Sequence, residues 1–176
     1  MVTIKNLLLI AGTGTKSGKT SMICRIIREH PELKITAIKI TPHFHETTPG
    51  LVSISDRSVY AIFEETDNNS IKDTSRMLRA GAEKVYYAKV LDDQPFEAFS
   101  EIMMLIPPGK PVICESPGLR NFAEPGVFII MTSQSINKQK NISHLLKLPH
   151  VLFQFEELDD IDLLQIGFED GGWFWR

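Results

Sequence analysis

The segment that most constrains the fold of this chain is residues 12–20, GTGTKSGKT, near its start. The apolar run LLLIAG leads into it, and SMICRIIREH follows with apolar residues at helical spacing. A strand, a glycine loop and a helix in this order are typical of a phosphate-binding loop. Glycines let backbone N–H groups turn towards phosphate oxygens, and the positive end of the helix dipole favours an anion. The plain alternative is a chance glycine turn that caps a helix.

The residue types of this loop predict individual roles at a bound nucleotide. Lys19 supplies a positive charge for the β- and γ-phosphates, and the Thr20 hydroxyl is placed to ligate Mg²⁺. The strict pattern GxxxxGK[ST] has glycine where this chain has Thr13, which lies between two glycines. The predicted cofactor-binding residues are Gly12, Thr13, Gly14, Thr15, Lys16, Ser17, Gly18, Lys19, Thr20 and Ser21.

Short apolar runs alternate along the chain with segments of helical period. This alternation predicts the α/β class, with a mainly parallel central sheet that is covered on both faces. A length of 176 residues fits one domain, so a single nucleotide-binding domain over 1–176 is expected. Strands are predicted at 4–11, 35–40, 84–90, 111–115, 126–131 and 150–154, and helices at 18–29, 71–80, 95–105 and 157–165.

Residues 41–69 are too long for a simple connection in a compact domain. Their inner part, SVYAIFEET, has the composition of a strand, so we expect an excursion, such as a hairpin, that projects beside the glycine loop. Such long loops are often functional, but plain surface insertions are also common. His43, His45 and Glu46 begin this segment, and an exposed or substrate-lining pair is more typical of these histidines than a metal site.

Two charged residues are expected at the carboxyl edge of the sheet, where the glycine loop also lies. Glu115 ends the apolar run PVICE, as in a Walker B strand, and is a candidate for binding Mg²⁺ or orienting a nucleophile. The alternative is an acid that faces solvent. Lys39 lies in the apolar strand ITAIKIT, so its ammonium should reach an anion or pair with an acid. Lys19, Glu115 and Lys39 are the predicted catalytic residues.

The helix in IKDTSRMLRAGA begins after Ser70, and Ser70 and Asp73 have the spacing of a capping box. The chain ends in GGWFWR, whose Trp173, Phe174 and Trp175 are expected to dock within the molecule or in a homodimer. The segment Asn137-Lys138-Gln139-Lys140 is similar to the guanine-reading NKxD motif, but it has lysine at the position of the specificity carboxylate. The choice between ATP and GTP therefore stays open.

Composition argues against several other classes. The net charge of −3 and the lack of a dense basic stripe argue against a nucleic-acid partner. The apolar runs are shorter than the ~18 residues that would predict a membrane span. Cys24 and Cys114 have no metal-type spacing, so a reducing cytoplasm is the simplest location.

The loop GTGTKSGKT resembles the GTxTxxGKT loop of the dethiobiotin synthetase family, whose P-loop tolerates the shifted glycine. The stretch 35–90 resembles the molybdopterin-guanine dinucleotide biosynthesis accessory protein (MobB) family, and the likeness extends over about 5–120. That family has a Glu-Gly turn where this chain has Glu115-Ser116-Pro117-Gly118. The residues that match its pattern are Lys39, His43, His45, Lys72, Asp73, Arg76 and the run Arg79-Ala80-Gly81-Ala82.

This resemblance implies a P-loop NTPase with a three-layer sandwich fold. It would bind Mg²⁺ with ATP or GTP, hydrolyse the nucleotide slowly and assist molybdopterin-type cofactor synthesis, together with another protein of that pathway. It also implies that Asp73 faces the phosphate loop, as a metal ligand with Thr20 and Glu115. A ligase similar to dethiobiotin synthetase, with Lys39 holding a small carboxylate, is one alternative. Another is a nucleotide-sensing protein that binds a partner through its aromatic tail and long loop.

Overall fold

The computed structural model describes residues 1–42, 48–91, 95–134 and 140–176. The sequence features at His43, His45, Glu46 and 137–139 lie outside these ranges. Within them the α-helices are α1 (Lys19–Glu29), α2 (Asp73–Arg79) and α3 (Pro95–Met104). The strands are β1 (Val2–Gly12), β2 (Thr36–Thr41), β3 (Leu51–Asp56), β4 (Tyr60–Glu65), β5 (Lys84–Val90), β6 (Val112–Glu115), β7 (Ala123–Thr132), β8 (Val151–Gln154), β9 (Ile166–Glu169) and β10 (Gly172–Trp175).

Eight of the described strands form one sheet in the order β3-β4-β5-β2-β6-β1-β7-β8. From β5 to β8 each strand is parallel to its neighbour, whereas β3 and β4 pair antiparallel at one edge. The predicted α/β class with a mainly parallel central sheet is confirmed. In none of the described ranges is there a helix long and apolar enough to cross a membrane.

From Leu7 onwards the strand β1 is buried on both faces, because successive side chains enter two different cores. Leu7 and Leu9 belong to one core, in which Phe99 of α3 also packs. Leu8 belongs to the other, which contains Ile23 of α1 and residues of α2. Helices therefore lie on both sides of the sheet, an arrangement compatible with a three-layer sandwich.

The predicted excursion at 41–69 contains a hairpin, but this hairpin does not stand apart from the sheet. Strand β4 pairs antiparallel with β5, so β3 and β4 extend the central sheet at its edge. The expectation of a projecting element is wrong for these two strands. Their backbone hydrogen bonds are better satisfied in the sheet than in an isolated two-stranded ribbon.

The prediction of an α-helix at 157–165 is also wrong. The chain forms two short 3₁₀ helices instead, Phe155–Asp160 and Leu163–Gln165. The side chain of Asp162 accepts a hydrogen bond from the backbone N–H of Leu164 at 3.0 Å, which starts a new turn. Aspartate side chains compete with a helix for backbone donors in this way, and this acidic segment contains several.

The aromatic tail, residues 173–175, docks within the molecule, which is one of the two alternatives expected from the sequence. It forms β10, which pairs with β9, and Trp173 is buried. The Trp173 indole N–H donates to the Val112 carbonyl at 3.1 Å, and its ring meets Phe168 edge to face. The hairpin itself was not predicted, although Asp170-Gly171, both with positive φ, is a recognised signal for a tight turn between strands.

Candidate functional site

A cavity of about 650 Å³ opens at the carboxyl end of the parallel strands. The predicted residues Lys19, Thr20, Lys39, Asp73 and Glu115 all line it, together with Gly12 and residues 14–18 of the glycine loop. Thr13 is buried and is not among the described lining residues. The lining residues come from the α-helices α1 and α2, from five strands and from their connections.

The glycine loop, residues 12–18, has little room for side chains at two of its glycines. A Cβ atom at Gly12 would lie 2.4 Å from Ser17 Oγ and 2.7 Å from the Met131 carbonyl oxygen. Gly18 has φ +85°, and a Cβ atom there would lie 2.3 Å from the Phe155 ring. The loop follows β1 and ends where α1 begins, so the sequence order predicted from GTGTKSGKT is confirmed.

Lys19 lies against the inside of this loop. Its ammonium donates to the Gly14 carbonyl at 2.7 Å and to Ser17 Oγ at 3.2 Å, and lies 3.9 Å from Glu115 Oε1. Burial lowers the pKa of Lys19 more than the charge of Glu115 raises it, so the pKa is below its ordinary value. The ammonium is therefore only partly compensated by the protein and faces a cavity that can accept an anion.

The Glu115 carboxylate accepts hydrogen bonds from side chains on two different elements, α1 and β2. Thr20 Oγ1 donates to Glu115 Oε2 at 3.0 Å, and Lys39 Nζ lies 3.4 Å from Glu115 Oε1. The register of β2 with β6 places Lys39 and Glu115 opposite each other. The sequence left open whether Lys39 reaches an anion or pairs with an acid, and in the structure it pairs with Glu115 and also with Asp73.

Asp73 does not cap its helix, so the capping-box prediction is wrong. Helix α2 begins at Asp73, and no side chain in the described chain caps it. The Ser70 hydroxyl donates to Ser75 Oγ, while the Asp73 carboxylate accepts from Lys39 and, at 3.3 Å, from Arg76 Nη1. A nearby ammonium and guanidinium bind a carboxylate more strongly than backbone N–H groups do, which explains the difference.

The ionisation of this cluster follows from its contacts. Burial raises the pKa of Asp73, but the charge and hydrogen bond of Lys39 outweigh it, so this pKa lies below its usual value. Burial likewise lowers the pKa of Lys39, and Glu115 and Asp73 outweigh that effect, so this pKa is raised. Lys39 and Asp73 are therefore charged at neutral pH.

The oxygen atoms of Thr20, Asp73 and Glu115 form a donor set that suits Mg²⁺. Magnesium prefers oxygen ligands, and proteins usually supply only one or two carboxylates while phosphates and water complete the shell. Among the residues that the structure describes, no group of three or more His, Cys, Asp or Glu side chains could hold a metal. These residues therefore fit a metal that is shared with phosphate groups, and not a cage made by protein alone.

Several cavity residues were not assigned to the site from the sequence, among them Phe155, Tyr87 and Arg76. Phe155 directly follows β8 and lies against Gly18, and Tyr87 of β5 lines the wall near Lys39. Arg76 was noted only through the family resemblance, and its Nη2 donates to Ser21 Oγ at 3.1 Å. The position of Phe155 just after a predicted strand, at the carboxyl edge of the sheet, is a signal that could have found it.

Comparisons with protein-family models, with curated proteins and with solved structures gave no match to this chain. The resemblance to the MobB family therefore stays a prediction from individual residues. The functional argument depends on the chemistry of the cavity, its charges and the loop beside it.

Proposed function

We propose that this chain is a P-loop NTPase that binds a Mg²⁺ complex of ATP or GTP and hydrolyses it slowly. The observation that supports the proposal is the convergence of Lys19, Thr20, Lys39, Asp73 and Glu115 on one cavity beside the glycine loop. Two ammonium groups for phosphates and three oxygen-bearing side chains for a divalent cation are the components that phosphoryl transfer requires.

The size and position of the cavity agree with this proposal. A volume of about 650 Å³ lies within the ~300 to 1,000 Å³ that is typical of small-molecule sites. It lies at the carboxyl edge of a mainly parallel sheet, where such sheets bind ligands. The glycine loop leads directly into α1, so the positive end of that helix faces a bound phosphate.

Each charged residue has a role in this proposal. Lys19 binds the β- and γ-phosphates, and Lys39 is a second cation for the terminal phosphate. Thr20, Asp73 and Glu115 would hold Mg²⁺, which offsets the negative charge of the phosphates when it is bound. Glu115 also lies close enough to both lysines to orient them.

A cellular role in molybdopterin-type cofactor synthesis is the finer part of the proposal. Its support is a MobB-like pattern of four residues that all line the cavity: Lys39, Lys72, Asp73 and Arg76. An accessory protein of this kind turns over weakly until its pathway partner is present. Low basal hydrolysis that increases with such a partner is the expected behaviour.

The position of Lys39 also favours a second candidate function, an ATP-dependent ligase for a small carboxylate. Its ammonium holds two carboxylates of the protein next to the phosphate loop, so it could hold the carboxylate of a substrate there as well. Product analysis separates the two functions. A ligase releases ADP in proportion to a small acid that it consumes, whereas an accessory NTPase does not need the acid.

The first experiment is a thermal-shift titration with ATP, GTP, ADP and GDP, each with Mg²⁺. We expect at least one triphosphate to raise the melting temperature of the parent, and Lys19→Ala to remove that shift while it leaves the apo-protein folded. The matched control is Lys5→Ala, which removes an exposed ammonium at the other end of β1. If Lys19→Ala binds ATP and GTP as tightly as the parent, nucleotide binding by this loop is disproved.

A further inference from the structure

A second cavity, of about 350 Å³, lies between α1, α2 and the 3₁₀ helix Phe155–Asp160. Its lining includes three arginines, Arg25, Arg28 and Arg76, and one carboxylate, Asp159. We call it the arginine cavity. Arg25, Arg28 and Asp159 are not among the described residues that line the main cavity, so the proposed nucleotide site leaves them without a role.

The arginines come from two packed helices. Ser21, Arg25 and Arg28 are four and three residues apart, so they lie on one face of α1. Arg76 reaches across from α2, and its two terminal nitrogens are held by Ser21 Oγ at 3.1 Å and Asp73 Oδ1 at 3.3 Å. Helix packing therefore positions three guanidinium groups around one space.

Most of this positive charge lacks a partner. Within the described part of the chain, Arg25 and Arg28 form no ion pair, and only Arg76 is paired. Arg25 Nη2 donates to the Ile161 carbonyl at 3.3 Å, whereas its Nη1 is buried and has no hydrogen-bond partner among the described residues. A buried donor without an acceptor is costly, and clustered cations attract an anion.

We propose that the arginine cavity binds the phosphate group of a phosphate monoester. Guanidinium groups match the tetrahedral, doubly charged phosphate better than they match a singly charged carboxylate, because several planar forks can each donate to it. Phe155 and Leu158 give the same cavity an apolar wall, which suits the carbon part of a small ester. Asp159 opposes binding and limits the affinity.

The arginine cavity adjoins the main cavity. Ser21, Arg76 and Phe155 line both, so ligands bound in the two spaces would be neighbours. A separate ester and a phosphorylated ribose of the bound nucleotide share this phosphate chemistry. The proposal is for a separate ester, because Phe155 and Leu158 offer its carbon part an apolar wall. The anion site itself depends only on the arginine cavity, whereas its place beside a nucleotide rests on the proposed function.

The probe for this proposal is glycerol 3-phosphate, titrated into the full ¹⁵N-labelled chain while amide shifts are recorded. The Lys19→Ala variant serves as the host, because it weakens anion binding at the glycine loop. We expect saturable shifts at residues 24–28 and 155–159. Shifts confined to the glycine loop of the parent, and absent from Lys19→Ala, would overturn the proposal.

Charge variants test the site in both directions. Arg28→Gln changes an exposed side chain, and it should weaken binding about tenfold, as should Arg25→Gln. Asp159→Asn should strengthen binding about threefold because it removes a repelling charge. Arg57→Gln, an exposed arginine on the β3–β4 turn, is the matched control and should change nothing. Equal effects of Arg28→Gln and Arg57→Gln would contradict the site.

The source of the phosphate is decided with protein saturated with Mg²⁺ and ADP. A separate ester should bind this complex about as tightly as it binds the free protein. If ADP excludes glycerol 3-phosphate, or if adenosine 3′,5′-bisphosphate produces the shifts at 24–28 and glycerol 3-phosphate does not, the separate ester is disproved. If none of ATP, GTP, ADP and GDP binds while Lys19→Ala still binds glycerol 3-phosphate, the proposed function fails and the arginine cavity stands.

Discussion

Lys39 and Glu115 lie opposite each other on the neighbouring parallel strands β2 and β6, with Lys39 Nζ 3.4 Å from Glu115 Oε1. The same ammonium donates to the carboxylate of Asp73, which begins α2. One cation therefore holds together two carboxylates that are far apart in the sequence. A divalent cation bound by these carboxylates would compete with Lys39 for the same oxygen atoms.

Replacing Lys39 with Met should therefore destabilise the apo-protein. Glu115 and Asp73 lose their shared cation, and we expect the free energy of unfolding to fall by about 2 kcal/mol because the buried Glu115 loses its nearer cation. Mg²⁺ without nucleotide should raise the melting temperature of this variant more than that of the parent, since the metal supplies the missing positive charge. Urea unfolding and thermal unfolding with and without Mg²⁺ measure both effects.

Lys84→Met is the control for Lys39→Met. Lys84 pairs with Glu64 at 3.1 Å on the exposed part of the sheet, and such a pair contributes less than ~1 kcal/mol. It lies outside the cavity, so Mg²⁺ should affect this variant and the parent alike. Equal destabilisation by the two substitutions, with no added response to Mg²⁺, would show that the ion pairs of Lys39 contribute no more than a surface ion pair does.

Thr20→Ala and Glu115→Gln should affect turnover much more than nucleotide binding without metal. Thr20 Oγ1 and Glu115 Oε2 are 3.0 Å apart, and the proposed function assigns both residues to the metal and its water. Hydrolysis measured over a range of Mg²⁺ concentrations, beside nucleotide affinity in EDTA, separates the two effects. Thr20→Ser keeps the hydroxyl and should retain most of the activity. Equal losses in the two assays would mean that both residues serve packing.

Gly18→Ala tests whether the glycine loop is fitted to Phe155. Gly18 and Gly109 both have positive φ, +85° and +77°, but only at Gly18 would a Cβ atom meet a neighbour, the Phe155 ring at 2.3 Å. Gly109→Ala should thus cost only backbone strain, ~1 kcal/mol. Gly18→Ala should cost about 1 to 3 kcal/mol more because of the clash.

A double-mutant cycle completes the test of Gly18. Adding Phe155→Ala to Gly18→Ala should recover part of the lost stability in urea unfolding, because the clashing ring is gone. The strain from positive φ should remain. No recovery, or equal effects of Gly18→Ala and Gly109→Ala, would show that the ring moves aside freely.

The glycine loop and its neighbours could be predicted because their signals are local. Residues 12–20 predict a strand before the loop and a helix after it, and both occur. Glu115 was placed at the sheet edge because it ends an apolar run. The pairing of Lys39 could not be decided, because it depends on β2 lying next to β6, and strand order is not contained in either strand alone.

The errors have the same origin. Ser70 and Asp73 have the right spacing for a capping box, but an ammonium from a distant strand takes the Asp73 carboxylate. Local propensity cannot anticipate such a tertiary partner. The segment after β8 has apolar residues at near-helical spacing, yet Asp162 diverts a backbone donor and divides it into two 3₁₀ helices.

Asp73→Asn is the change that best separates a metal ligand from a structural residue. Its charge matters if it binds Mg²⁺, and the Mg²⁺ concentration for half-maximal turnover should rise ~10- to 100-fold. Arg79→Gln, on the same helix but outside the described lining of the cavity, is the control. A Mg²⁺ titration of the Asn variant that superimposes on the parent curve would remove Asp73 from the site.

The Asp73→Asn variant also tests how the stability of the parent depends on pH. The pKa of Asp73 is lower in the folded chain, since the ammonium of Lys39 outweighs the effect of burial. The ionised carboxylate therefore stabilises the fold. This contribution is fully present above the unfolded pKa of about 3.9 and is lost as the pH falls through the lower folded pKa.

The Asp73→Asn variant lacks this contribution at every pH. Urea unfolding should therefore show the parent more stable than the variant at pH 7, and the stabilities of the two proteins should converge in acid. A difference that stays constant from neutral pH into acid would mean that the carboxylate charge contributes nothing and that only the shape of the side chain matters.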